Sequence, residues 1–485
     1  DGFKDDEEHD EEKTSEEVKK EEPKKEIETN RIFLPPANLH PLNLVDFIEH
    51  NYPYFFTLSS PDDFYHLSSY KSKNNIKFSP LEFPKLPELS KIMFDNINIT
   101  STAVHDDFLF AGDDKGIVYM FSCETQREVK CFKMNDINEK IPKAGIIVSA
   151  IDVSKDGNYL IAGYANGFIA LWNIPDRKFI YLITDKHTSK IVALKFVDAV
   201  RKKYVVISSD QNGQIQKLII EEKFLRVSVK DDSIYKDSMS TFIIELYKPF
   251  KDSQITLAAL GTVNKIRLYL IEPFINLLCD FENPDKNALV KVPDVSFGIG
   301  CEPKNENIGF VNQIMSPDED EEIQNVTMLA ISWDKIIRIY SISIDEEGSI
   351  ALFNEGKPCG YFLNTYEISR IGFISSSIIY FFDTQKQLKI FNTALIHSGD
   401  FNPENKKAQE YSTKALIEDG NVIDPKLLAE DISNQGLRQY SYRNFILGTE
   451  KSIFLLCKGA FYKGKLLNYE ECINKVAEQN NWMDA

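Results

Sequence analysis

Three pairs of adjacent carboxylates, Asp106-Asp107, Asp113-Asp114 and Asp231-Asp232, are the first residues in this chain whose types could do chemistry. Neighbouring carboxylates can divide acid and base work when their surroundings push their pKa values apart. Each pair falls among residues that read as a turn, where Asp side chains accept hydrogen bonds from the local backbone. The expectation for all of them is turn formation. The histidines, at 9, 40, 50, 66, 105, 187 and 397, are scattered and show no metal-ligand spacing. His187 lies just before an apolar run and reads as a framework residue rather than a catalytic one. No glycine-rich phosphate cradle and no Gly-x-Ser-x-Gly elbow occurs. The sequence therefore predicts no catalytic residue, no metal, no cofactor and no small-molecule substrate.

The cysteines, at 123, 131, 279, 301, 359, 457 and 472, form no Cys-x-x-Cys pair, and their number is odd. That usage fits reduced, cytosolic thiols better than a disulfide framework or a zinc site. The net charge of −18 argues against nucleic acid, which needs a basic stripe for its phosphates. The longest apolar stretch, 269–279, is broken by Glu272 and Pro273, short of a membrane span. With no signal-like region near Asp1, the chain reads as a cytosolic fragment.

The elements that hold these residues are strands. Phe 33 and Tyr 21 against Trp 3 favour sheets. Residues 160–187 show the pattern most clearly. An apolar run enters the turn Tyr164-Ala165-Asn166-Gly167, a second run ends at Trp172-Asn173, and a third follows Pro175-Asp176. Asn-Gly between two β-rich runs predicts a hairpin with a primed turn, because both residues tolerate positive φ. The same hairpin recurs at 108–119, 204–215, 255–269, 328–340, 378–391 and, more weakly, 444–456. Runs at 148–153, 191–197, 242–247 and 368–373 precede the hairpins and supply an inner strand. A four-stranded unit repeated at this interval predicts an all-β, WD40-like β-propeller of about seven blades. Gly116, Gly167 and Gly213 are its expected turn residues, and Trp172 and His187 its expected framework. Trp333-Asp334 sits at a turn and not at a strand end, so it is a false WD signature.

Around the repeat, residues 1–30 carry fourteen acidic residues against six lysines and predict a disordered acidic tail. Residues 31–90 form a Pro- and aromatic-rich arm. The propeller is expected over 91–467, with the run Lys91-Ile92-Met93-Phe94 closing its last blade as the outer strand. Long polar insertions at 302–324 and 396–437 read as loops. Residues 468–485 predict a helix with Cys472, Ile473, Val476 and Ala477 on one side, the start of an α-solenoid.

Gly163-Tyr164-Ala165-Asn166-Gly167, Trp172 and Ile183-Thr184-Asp185-Lys186-His187 resemble the second repeat of the eighth vacuolar protein sorting (Vps) subunit family of the CORVET endosomal tethering complex. Tyr440-Ser441-Tyr442-Arg443-Asn444-Phe445 looks like part of that family's last blade. Tyr469-Glu470-Glu471 through Trp482-Met483-Asp484-Ala485 looks like its solenoid entry. The resemblance implies a non-catalytic scaffold that joins the class C Vps core and engages an early-endosomal Rab GTPase. It also implies a cytoplasmic protein, peripheral on early endosomes through those partners. The alternative reading of a propeller-plus-helix organisation is another scaffold of that type, a vesicle-coat or intraflagellar-transport subunit. Which propeller surface binds partners is not encoded in any of these motifs.

Overall fold

The computed structural model describes residues 81–466, apart mainly from 134–145, 284–292, 301–325, 403–411 and 417–445. The acidic tail, most of the arm, the long insertions and the terminal helix lie outside the described residues.

The described strands form seven antiparallel sheets. The first holds Ile99–His105, Phe108–Asp113, Ile117–Ser122 and Arg127–Lys133. The second holds Val148–Val153, Tyr159–Tyr164, Ile169–Asn173 and Lys178–Ile183. The third holds Ile191–Val200, Lys203–Asp210, Gln214–Lys223 and Arg226–Lys236. The fourth holds Ile243–Tyr247, Thr256–Gly261, Lys265–Glu272 and Asn276–Glu282. The fifth starts at Asp294–Gly300 and continues through Val326–Trp333 and Ile336–Ile344 to Gly360–Leu363 and His397–Ser398. The sixth shows Ile368–Phe373, Ile378–Asp383 and Leu388–Asn392. The first strands of successive sheets lie side by side, from Ile99–His105 through to Ile446–Gly448, as the inner strands of a propeller.

Composition follows position in the blade. Second strands touch a neighbouring sheet on both faces, and Thr256–Gly261 and Ile378–Asp383 are buried at every residue. They are accordingly continuous apolar runs. The outer strand Arg127–Lys133 is mostly exposed and carries four charges. The core consists of layers between blades. Phe110, Val118, Met120 and Phe132 of the first blade pack on Leu160, Ala162 and Trp172 of the second. Leu257, Leu268 and Phe281 of the fourth pack on Leu329, Tyr340 and Ile342 of the fifth.

Closure uses the N-terminal side of the chain, but not the expected residues. Lys91 to Phe94 belong to an α-helix, Pro87–Asn96. Pro87 at its first position and Glu88 in its first turn suit a helix start, and Leu89, Ile92 and Met93 have helical spacing. A short apolar run alone could not separate the two readings. The outer strand of the last blade is Leu81–Glu82, whose partners are Leu466 and Lys465 on Ala460–Leu466. That blade also shifts by one hairpin. Ile446–Gly448 is its inner strand, and the middle hairpin is Ser452–Cys457 with Ala460–Leu466. The expected pairing of 444–449 with 452–456 as the middle hairpin is therefore corrected to the first one.

The helix plugs the seam. Leu86 N donates to Phe461 O at 2.8 Å, Phe461 N donates to Ser90 Oγ at 2.8 Å, and Ser90 Oγ donates to Leu86 O at 2.6 Å. Leu89 is buried among Leu109, Ala111 and Phe121 of the first blade and Phe454 and Phe461 of the last. Lys463 of the last blade pairs with Asp107 of the first. Leu89→Ala should cost about 2–5 kcal/mol, as a buried leucine leaves a cavity where the first and last blades meet. Equilibrium denaturation in urea checks it, and a loss below about 1 kcal/mol would show the seam to be independent of the helix.

Candidate functional site

The turns between second and third strands share one device in the first three blades. Gly116, Gly167 and Gly213 have φ of +82°, +87° and +79°. Gly167 N donates to Tyr164 O at 3.1 Å, and Asn166 is not among the residues with positive φ. The turn is thus a type I turn followed by a left-handed glycine, not the expected primed turn with Asn166 also left-handed. In two of these turns an aspartate caps the loop. Asp113 Oδ1 accepts from Lys115 N at 2.9 Å and Ile117 N at 2.8 Å, and Asp210 Oδ1 accepts from Asn212 N at 2.9 Å and Gln214 N at 3.1 Å. Asp106, with φ of +48°, also sits in a turn. Asp231-Asp232 does not, and lies within the outer strand Arg226–Lys236. That strand is wet along much of its length, so charge is tolerated, and Asp231 accepts from Lys186 Nζ at 2.6 Å.

Each glycine faces the connector that leaves its blade for the next. A Cβ on Gly167 would stand 2.7 Å from His187 O and 3.0 Å from Ser189 O. One on Gly213 would run into Asp237 O. The connector's backbone therefore lies in the space that a side chain would need.

His187 joins that connector to the third blade. Its Nδ1 is 3.1 Å from Asp210 Oδ2 and its Nε2 is 2.8 Å from Ser208 Oγ. Asp210 can only accept, so Nδ1 carries the proton, Nε2 accepts and the Ser208 hydroxyl donates. Burial holds the imidazole below its usual pKa of 6.5, outweighing the Asp210 carboxylate, which raises it. The three side chains have the composition and bonding order of a serine hydrolase triad. Ser208 and Asp210 are 0% exposed and His187 is 3% exposed, so no acyl group can reach the hydroxyl. The arrangement is a buried clamp. Trp172 is buried on the opposite side of the second blade, with ring centroids 6.1 Å from Phe132 and 6.2 Å from Phe179.

Sequence reasoning missed Ser208 and Asp210 as partners of His187. An aspartate ending an apolar run three residues before a glycine, as in Asp113…Gly116 and Asp210…Gly213, was the signal available. It also missed two clasps between inner strands. Asp152 of the second blade accepts from Phe196 N at 2.8 Å and Lys195 Nζ at 2.9 Å of the third. Asp294 of the fifth accepts from Ile371 N at 2.8 Å and from Arg370 Nη1 at 2.8 Å on the sixth. Burial works against the charge on Arg370, but Asp294 overcomes it and raises the guanidinium pKa. Among the described residues, no group of three His, Cys, Asp or Glu could hold a metal ion. No described helix is long and apolar enough to cross a membrane.

Residues 87–456 match the family model of the Vps8 β-propeller. The chain belongs to the Vps8 β-propeller family. Relatives of the same family agree. The chain is 22% identical over 322 residues to the vacuolar protein sorting-associated protein 8 homologs of Mus musculus and Homo sapiens. The match covers 64% of this chain and 21% of each relative, so the chain spans about a fifth of their length. Among solved structures, the Cps50 (Swd1) β-propeller domain of Myceliophteria thermophila is 10% identical with a TM-score of 0.43, covering 79% of this chain and 100% of that one. In this Vps8-type propeller the triad-like cluster of His187, Asp210 and Ser208 is sealed from solvent.

Gly167→Val should destabilise the protein by about 1–3 kcal/mol, since it places a β-branched residue in the left-handed region against the connector carbonyls. Chemical denaturation measures it, and an unchanged midpoint would refute the contact. His187 sets a pH dependence. Its folded pKa lies below 6.5, so under pH 6.5 the unfolded chain takes up a proton that the folded protein resists. The stability present above pH 6.5 is lost as pH falls toward the folded value. The melting temperature of the wild type should fall more steeply between about pH 7.5 and 5.5 than that of His187→Gln, which cannot titrate there. Parallel slopes would place the titration elsewhere.

Proposed function

We propose that this chain is the propeller of a non-catalytic scaffold subunit in a CORVET-type tethering complex, acting in endosomal vesicle tethering and fusion and in transport to the vacuole or lysosome. The observation that carries the reading is the family match over residues 87–456, with relatives named for vacuolar protein sorting. The physical design supports it. Blades clasped through Asp152 and Asp294 and clamped through His187 make a stiff frame. A stiff frame presents its loops in fixed register, which lowers the ordering cost of binding large partners.

In this reading the protein joins a class C Vps core and engages an early-endosomal Rab GTPase. It takes its place on the cytoplasmic side of early endosomes through those contacts, with no nucleic acid or small-molecule substrate involved. The test is a pull-down of the full chain with purified class C core and with the Rab locked in its GTP or GDP form. Capture of the core, together with the GTP form in preference to the GDP form, is the expected result. Failure to bind either partner would sink the proposal.

A further inference from the structure

The third blade is longer than its neighbours on one face. Its third and outer strands, Gln214–Lys223 and Arg226–Lys236, have 10 and 11 residues. The corresponding strands have 5 and 6 in the second blade and 8 and 7 in the fourth. The second strand begins at Lys203, opposite Glu221, so Glu222 and Lys223 continue past it. At roughly 3.3 Å per residue the hairpin tip stands about 7 Å beyond that strand. At the tip, between the paired residues Lys223 and Arg226, Phe224 is 100% exposed.

Cations surround this aromatic. Lys223 and Arg226 flank it, and Lys202 and Lys203 lie at the neighbouring turn, where Lys202 O accepts from Glu222 N at 2.9 Å. All four are exposed. Of the two nearby carboxylates, Glu221 lies 3.5 Å from Lys223 and Glu222 accepts the Tyr204 hydroxyl. Among the described residues named here, four cations stand against two anions, a balance of +2 on a chain whose net charge is −18. Lys202, Lys203 and Arg226 form no ion pair among the described residues.

The fourth blade adds to the same face. Successive inner strands run in one sense, so turns from third to outer strand open on one side of the ring. Phe274, in that turn of the fourth blade, is 61% exposed, and Leu277 just beyond it is 45% exposed. The glycine turns and blade connectors open on the opposite side.

We propose that this face docks directly on an anionic phospholipid bilayer. Phe224 enters the boundary between headgroups and acyl chains, while Lys202, Lys203, Lys223 and Arg226 pair with anionic headgroups. The shape selects this occupant. A convex tip buries far less than the roughly 800 Å² per partner of a specific protein interface. A bilayer sets no shape requirement and accepts an apolar tip ringed by cations. The contact is a foothold made by the chain itself, beyond the partner-mediated attachment above.

The test floats the full chain with vesicles in the absence of any Rab or core subunit, so its outcome is independent of the tethering reading. Vesicles of phosphatidylcholine alone are compared with vesicles of phosphatidylcholine and phosphatidylserine. Binding to the anionic vesicles, weakened by salt, is expected. Phe224→Asp should abolish it, and Lys202→Ala with Lys203→Ala should weaken it roughly fivefold per charge removed. Phe224→Trp should bring a tryptophan within quenching range of brominated acyl chains. An unchanged circular dichroism spectrum confirms that each variant is folded, as a fully exposed side chain allows. Three results overturn the proposal: no flotation with anionic vesicles, flotation undiminished by Phe224→Asp, or Phe224→Trp quenched no more than wild type. Loss of core or Rab capture by Phe224→Asp with vesicle binding intact would also overturn it, making the tip a protein contact.

Discussion

A blade of this protein cannot be stable by itself. A strand such as Thr256–Gly261 buries both faces, one covered by the third blade and the other by the fifth. Any linear stack would leave two apolar faces open, so the ring must close. The pairing of Leu81 with Leu466, and the docking of Leu89 between the first and last blades, meet that demand. The other junctions are secondary refinements on a layer of apolar contact.

Those refinements are chemically specific where backbone groups must be buried. Connector carbonyls approach the turns only where a residue has no Cβ, as at Gly167 and Gly213. Carboxylates at Asp152 and Asp294 satisfy an amide and a cation of the next blade together, which is how a buried charge is tolerated. His187 bridges the Asp210 carboxylate and the Ser208 hydroxyl, and the burial that makes it a good clamp is what removes it from chemistry. Identical side chains in an open cleft would read as a nucleophile, base and orienting acid.

Much of the architecture was legible because it is local. Hairpins at 108–119, 159–172 and 204–215 announce themselves through apolar runs broken by a glycine turn, and the structure places all of them as second and third strands. What was not legible depends on distant residues. The helix at Pro87–Asn96 and a strand at Lys91 to Phe94 are equally consistent with a short apolar run, and only its packing on Phe454 and Phe461 separates them. The last blade was misregistered by one hairpin because its inner strand, Ile446–Gly448, is short and its true middle partner lies further on. Asp231-Asp232 reads as a turn by composition, but an outer strand has a wet side and accepts charge. Ser208 and Asp210 look like ordinary strand residues until the connector brings His187 onto them.

Closing the ring with Leu81–Glu82 has a consequence for how the protein is made. The partner strand ends at Leu466, a separation of 385 residues. At about 5–20 residues per second, the ribosome delivers that partner roughly 20–80 s after Leu81 has emerged. Throughout that interval the first blade has an open flank and the closing strand has nothing to pair with. The nascent chain must survive as an unfinished arc with sticky apolar ends. Its biogenesis is therefore the period when chaperone protection matters most, and a truncation before Ala460 would remove the strand that ends it.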